Sequence, residues 1–209
     1  MTIGVIQASS QSDKNKILEK SVKVAVANQD HEVINFGVFG NEKMNYSYVQ
    51  VALCISMLIE SKAVDFVVTG CSSGQGMMLA CNSLPGILCG YIENPTDAYL
   101  FGRINHGNVA SYPLGLNFGW AGEINLQNTM KALFEEPLGI GYPVEDAQRK
   151  MEDTLLLKKI NALSKKSLIE IIPELDQTFV KTALTYDPVY NYIMQNGKDE
   201  KRKQFLRTM

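Results

Sequence analysis

Histidine is almost missing from this chain. Only His31 and His106 occur among 209 residues, beside four cysteines, Cys54, Cys71, Cys81 and Cys89. No two cysteines make a C-x-x-C pair, so a structural zinc site is not expected and no metal or other cofactor is implied. Apolar runs are short, and none approaches the ~20 residues of a membrane span. The opening MTIGVIQASS has neither the basic start nor the long apolar stretch of a secretion signal. The cysteines are therefore expected as reduced thiols in the cytoplasm. An excess of one charge is lacking too. Lys plus Arg number 20 against 22 Asp plus Glu, a formal net charge of −2. That balance leaves no electrostatic footprint for nucleic acid or a membrane surface. There is no internal repeat and no low-complexity segment.

What is present is the composition of an ordinary globular protein, 45% apolar and 20% charged. The length suits one domain, or one domain with an appendage. Apolar runs over residues 2–7, 32–36, 65–68, 86–91 and 108–111 read as strands. Helical stretches fall between and after them, at 13–28, 46–61, 76–82, 97–104 and 121–135, the first capped by Ser12 or Asp13. This alternation predicts an α/β fold with five parallel strands and helices on both faces, a three-layer Rossmann-like sandwich over residues 1–138. Residues 139–143 read as a linker. Residues 139–209 form a mostly helical extension, with an apolar stripe at Met151, Leu155 and Leu156 on a polar helix over 144–164. Its basic end, 197–209, reads as a mobile, solvated tail.

The most informative stretch is VDFVVTGCSSGQGMMLACNSLPGILCGY, residues 64–91. It reads as strand, tight loop, helix, strand. Cys71 lies just past a strand end, the edge where open α/β sheets place their chemistry. The glycines let backbone turn sharply and approach a ligand. The amides of Ser72 to Gln75 would face the space before a helix N-terminus, where negative charge is favoured. The same field favours the thiolate of Cys71, the reactive form of the side chain. A base beside an amide cradle suits proton abstraction next to a carbonyl, because the enediolate needs those donors. Other readings stay open. Gly74-Gln75-Gly76 hints at a dinucleotide loop, but Leu79 stands where the third glycine belongs. Cys71 could equally be a small core residue. The loop over 112–120, YPLGLNFGW, reads either as a pocket wall or as a packed surface corner.

The segment Cys71-Ser72-Ser73-Gly74-Gln75-Gly76, followed by Asn82-Ser83-Leu84-Pro85-Gly86-Ile87, resembles the active-site segment of the type B ribose-5-phosphate isomerase family, which includes the galactose-6-phosphate isomerase subunits. The match runs without a gap through Ala98, Asn105 and Asn108-Val109. The resemblance covers roughly residues 1 to 150. It implies a cofactor-free aldose–ketose isomerase of a sugar phosphate, working as a homodimer or dimer of dimers with the active site between subunits. Carried over by position, Cys71 is the proton-shuttling base, Ser73 stands for a family threonine, and Ser72, Gly74, Gln75 and Gly76 belong to the anion hole. Ser9, Asn105 and Arg149 fall at substrate-binding positions.

Departures from the family pattern narrow the expectation. An Asp-His pair in the first-strand loop becomes Ala8-Ser9. The family's His-Asn-Asp becomes Ile104-Asn105-His106, so the imidazole credited with ring opening is an isoleucine, and His106, at the place of the aspartate, reads either as its substitute or as a bystander. The arginine after the fifth strand is absent around 115–117, and Arg149 alone matches a later pair. A phosphate dianion would be weakly held. A substrate needing no ring opening, such as a four-carbon sugar phosphate, is compatible with these losses. The alternative is a non-catalytic sugar or sugar-phosphate binding relative.

Overall fold

The computed structural model describes residues 1–209. Five strands, β1 (Thr2–Ile6), β2 (Glu32–Gly37), β3 (Phe66–Cys71), β4 (Cys89–Tyr91) and β5 (Val109–Pro113), form one sheet in the order β2-β1-β3-β5-β4. Every pairing is parallel. Both faces of the sheet are covered, which explains why the strands read as continuous apolar runs rather than alternating ones. α1 (Asn15–Ala25), α4 (Pro95–Leu100) and α5 (Gly122–Phe134) cover one face, where Leu18, Val22, Leu126 and Met130 are buried against Val5, Phe66 and Val68. α2 (Tyr48–Glu60) and α3 (Gln75–Ser83) cover the other, with Ile55, Met57 and Met77 around Val67 and Cys71.

Element boundaries moved where side chains took over backbone bonds. The helix expected from residue 13 begins at Asn15, after a 3-10 turn over Ser9–Lys14, and neither Ser12 nor Asp13 caps it. Asn15 instead turns inward, donating to Gln7 Oε1 (2.7 Å), Asn35 Oδ1 (3.0 Å) and the Gly37 carbonyl (3.0 Å). β4 is shorter than expected, because Asn108 bonds the Gly86 carbonyl and the Leu88 N–H (2.7 and 2.9 Å), in place of ladder bonds. β3 runs further, to Cys71, because β5 stays paired with it as far as Pro113. α2 carries a full capping box between Ser47 and Gln50.

The C-terminal region folds onto the same body. After α4, a π-type turn over Phe101–Asn105 leads to His106. Gly139 and Gly141 donate backbone bonds to the carbonyls of Gly102 (2.8 Å) and Arg103 (2.9 Å), pinning the linker to that turn. α6 (Ala147–Ser164) then crosses the amino-terminal edge of the sheet. Thr154 donates to the Ile104 carbonyl (2.7 Å) and Asn161 to that of Ile87 (3.1 Å). Its outer face leaves Leu155, Leu156 and Leu163 exposed. α7 (Leu168–Ile171), α8 (Gln177–Leu184) and α9 (Asp187–Asn196) bury Leu168, Leu184 and Ile193 in the α2 core. The tail expected to be mobile is also ordered. It forms α10 (Glu200–Leu206), with Leu206 buried, Arg202 paired to Glu60 at 3.1 Å, and the Lys198 and Asp199 amides on the Ser61 carbonyl. One apolar anchor and one partly buried ion pair outweigh the solvation of its lysines. No helix is long and apolar enough to cross a membrane.

Candidate active site

Strand order reverses at β1, whose sequence neighbours β2 and β3 lie on opposite sides of it. The carboxyl ends of β1 and β3 therefore open a crevice. The Ala8 amide donates to the Gly70 carbonyl (3.1 Å), joining the two loops at its base. Cys71, the last residue of β3, sits there with 8% of its surface exposed.

The backbone past Cys71 is turned by its neighbours. The carbonyl of Cys71 accepts from the Leu114 amide (3.0 Å), and that of Ser72 from the Gly115 and Leu116 amides (2.9 and 2.7 Å). Ser111 Oγ donates to the Gly74 carbonyl (2.7 Å). With the carbonyls drawn toward β5, the amides of Ser72, Ser73, Gly74, Gln75 and Gly76 have no acceptor within the chain. They open the N-terminus of α3, so free donors and helix field coincide beside the thiol. Gly74 makes this turn possible. Its φ is +74°, and a β-carbon there would lie 2.9 Å from the Tyr91 ring and 3.0 Å from the Pro113 nitrogen.

Two residues of the first loop reach the Cys71 loop, and neither stood out in the sequence. Gln11 Nε2 donates to Ser72 Oγ (3.0 Å), and Ser72 Oγ lies 3.4 Å from Ser10 Oγ. The polarity of this loop was legible, but nothing local pairs Gln11 with a residue 61 positions away. Ser9, the expected sugar ligand, is engaged otherwise. Its Oγ accepts from the Tyr46 amide (2.6 Å) and its amide donates to the Tyr46 carbonyl (3.1 Å), which fixes the loop after β2. The 112–120 loop is docked on the site through Gly115 and Leu116, yet Trp120 projects outward, 99% exposed. No arginine or lysine hydrogen-bonds the Cys71 loop; Lys14 turns to Asp13 and the Phe118 ring.

On the β4 side, Tyr91 packs against Gly74, and burial together with the nearby Glu93 carboxylate raises its hydroxyl pKa. Asn117 donates to Glu93 Oε1 (3.3 Å) and Asn125 to the Glu93 carbonyl (3.0 Å), closing this flank with polar groups.

The remaining expected residues lie elsewhere. Asn105 and His106 precede β5, at the amino-terminal edge of the sheet, and Arg149 projects from α6 on the same edge. Arg149 is held by Asp146 (3.0 Å) and Asp153 (3.2 Å), so its charge is already matched. His106 adopts φ +43°, with its ring against Gly139. Burial and the charge of Lys158 lower its pKa, leaving a neutral imidazole at pH 7. Within one chain, the structure thus brings together Cys71, Ser72, Ser73, Gly74, Gln75 and Gly76, and separates them from Asn105, His106 and Arg149.

Residues 8–137 match the family model described as Ribose/Galactose Isomerase. A comparison with curated proteins finds no match. Among solved structures, a 4-deoxy-L-threo-5-hexosulose-uronate ketol-isomerase complexed with a tartrate is 37% identical, over 100% of this chain and 98% of its own, with a TM-score of 0.94. A ribose-5-phosphate isomerase from Vibrio parahaemolyticus is 33% identical over the same shares, also with a TM-score of 0.94. The type B ribose 5-phosphate isomerase of Trypanosoma cruzi, at 16% identity, a TM-score of 0.63 and coverage of 78% of this chain and 98% of its own, shares the fold.

Proposed function

The chain belongs to the ribose/galactose isomerase family of sugar isomerases, and on that premise we propose that it is a cofactor-free aldose–ketose isomerase in which Cys71 moves the proton. The observation that carries this reading is the thiol at the end of β3 beside five amides without acceptors. The Cys71 thiolate removes a proton from the carbon next to the carbonyl, and the electrons move to oxygen as an enediolate. The Ser72–Gly76 amides receive that charge, and the thiol returns the proton to the adjacent carbon while the hydroxyl proton of the enediolate passes from the oxygen that becomes the new carbonyl to the one that was the old. Removing one such donor from an oxyanion site costs about 2.7–4 kcal/mol of barrier. In this reading Ser73, half-buried in the loop, hydrogen-bonds the second oxygen.

The substrate in this reading is a small anionic sugar in open-chain form. The Cys71 edge offers serines, glutamines and tyrosines but no imidazole to open a ring. A short sugar phosphate satisfies that requirement. The scarcity of cations around the loop favours a singly charged sugar acid over a phosphate dianion. The uronate ketol-isomerase aligned over the whole chain points the same way.

Asn105, His106 and Arg149 enter this reading only through a second copy of the chain, in a homodimer whose site lies between subunits. The exposed apolar face of α6 suits such an interface. Residues 1–138 carry the chemistry and 139–209 form the extension that flanks it. Four free cysteines fit a reducing compartment such as the cytoplasm.

The test is proton exchange in heavy water, followed by NMR, with four- to six-carbon sugar phosphates and open-chain sugar acids. Exchange next to the carbonyl, lost in Cys71→Ala, is the expected result. Full activity in Cys71→Ser sinks the mechanism. Tight sugar binding without exchange replaces it with the non-catalytic binding protein.

A further inference from the structure

A cavity of about 440 Å³ lies at the amino-terminal edge of the sheet, away from the Cys71 loop, between the starts of β3 and β5, the turn before β4, and α6. Its polar side chains are Asp65, His106, Asn108, Lys158 and Asn161. Most of their bonding capacity is used. Asn108 is tied to Gly86 and Leu88, Asn161 donates to Ile87, and one oxygen of Asp65 accepts the Thr2 amide at 2.7 Å. Lys158 is the exception. Its ammonium is half-buried with no ion-pair or hydrogen-bond partner, and burial is the one influence on its charge, lowering its pKa. Beside it stands neutral His106, fixed by a left-handed backbone conformation and by contact with Gly139.

We infer that this cavity binds a small hydroxycarboxylate, with Lys158 as the cation, the His106 ring as a hydrogen-bond partner, and the free oxygen of Asp65 accepting from the ligand's hydroxyl. A half-buried ammonium without a counter-ion is under-compensated, and a carboxylate restores its lost interactions. The charge count selects the class. The lining holds two cations, Lys158 and the amino terminus of Met1, which also donates to the Asp30 carbonyl at 3.2 Å, against the one carboxylate of Asp65, so a monoanion brings the cavity to neutrality where a phosphate dianion leaves excess negative charge. The same chemistry has two sources. One is the acid end of a sugar held by a second copy's Cys71 loop, which rests on the isomerase reading above. The other is a free hydroxy acid acting as an effector.

The experiment uses the full chain, with D-glycerate as probe and inorganic phosphate as comparison at constant ionic strength. With only two histidines, ring resonances of His106 and His31 are assignable by substitution. The groups around His106 are Lys158 on α6, Asp65 before β3, the amino terminus of Met1, which lines both this cavity and an adjoining one of about 490 Å³, and His31, Glu135 and Glu136 along that second cavity. D-glycerate is expected to raise the His106 pKa by adding negative charge beside it. Lys158→Met is expected to weaken glycerate at least about tenfold, and Lys158→Arg to retain it. Cys71→Ala is expected to bind glycerate as the parent does, so failure of the isomerase mechanism leaves this result standing. Unchanged glycerate affinity in a folded Lys158→Met, or phosphate bound more tightly than glycerate, overturns the proposal. In the exchange assay, competition between glycerate and sugar identifies the substrate's own acid end. A changed rate without competition identifies an effector.

Discussion

Cys71 and His106 stand at opposite ends of one parallel sheet. Cys71 pairs with Pro113, the last residue of β5, while His106 precedes Val109, its first. The five residues of β5 put ~13 Å of strand between the two levels, at about 3.3 Å per residue. One substrate cannot bridge both groups within a single chain.

That separation predicts complementation. If His106 serves the Cys71 of a second copy, Cys71→Ala and His106→Ala should each be inactive alone and recover activity when unfolded and refolded together. Random pairing makes half of the dimers mixed, and one of two sites in each is intact, so about a quarter of parent activity is expected. No recovery, with mixed dimers demonstrated by mass, excludes a site shared between Cys71 of one copy and His106 of the other.

Gly74→Ala should damage both stability and chemistry. The new β-carbon meets the Tyr91 ring and the Pro113 nitrogen, and alanine resists φ +74°. The expected loss is about 1–3 kcal/mol in urea unfolding, with isomerase exchange abolished because the amides no longer converge.

Gln11 offers a test of electrostatics with little change of shape. Gln11→Ala removes its bond to Ser72 and is expected to raise KM several-fold. Gln11→Glu puts a carboxylate at the mouth of the anion cradle, where like charge opposes the enediolate. It should lower kcat/KM more than Gln11→Ala does, with urea midpoints of both within about 0.5 kcal/mol of the parent. Equal effects of the two variants would falsify the cradle.

Alkaline pH should destabilise the α2 side of the core first. Burial pushes the Cys54 thiol up to about 12 and raises the pKa of Tyr186, which donates to Glu42. Both groups favour their protonated forms in the folded chain. The stability they contribute is fully present below the unfolded thiol value of about 8.5, and is lost as pH rises toward 12. Thermal melts between pH 8 and 11 should fall steadily, and less steeply in Cys54→Ala. Iodoacetamide at pH 8 should leave Cys54 unmodified by mass spectrometry.

Arg202→Met should loosen the C-terminal helix. It leaves Glu60, with 12% of its side chain exposed, without its partner. A loss of about 1–3 kcal/mol is expected, with hydrogen exchange rising first in residues 198–206.

Much of the fold was readable from residue order alone. Alternating apolar runs and helical segments predict a parallel sheet covered on both sides. The turn chemistry of Gly70 to Gly76 places a cysteine at a strand end and free amides at a helix start, because those properties belong to a few consecutive residues. Boundaries were less legible where a distant side chain replaced a local bond, as Asn15 did for the first helix and Asn108 for the fourth strand.

What the sequence by itself determined, then, is the local machinery around Cys71: a strand, a left-handed glycine, and a helix N-terminus in unbroken order. Tertiary structure alone decided which groups share its edge of the sheet. Strand order joined Gln11 to Ser72, turned the Ser9 hydroxyl toward Tyr46, and sent Asn105, His106 and Arg149 to the far edge. It also folded a lysine-rich tail into the core through Leu206 and Arg202. The physical reason is range: backbone conformation is set within a few residues, whereas the partner of a side chain depends on how the whole sheet is wound.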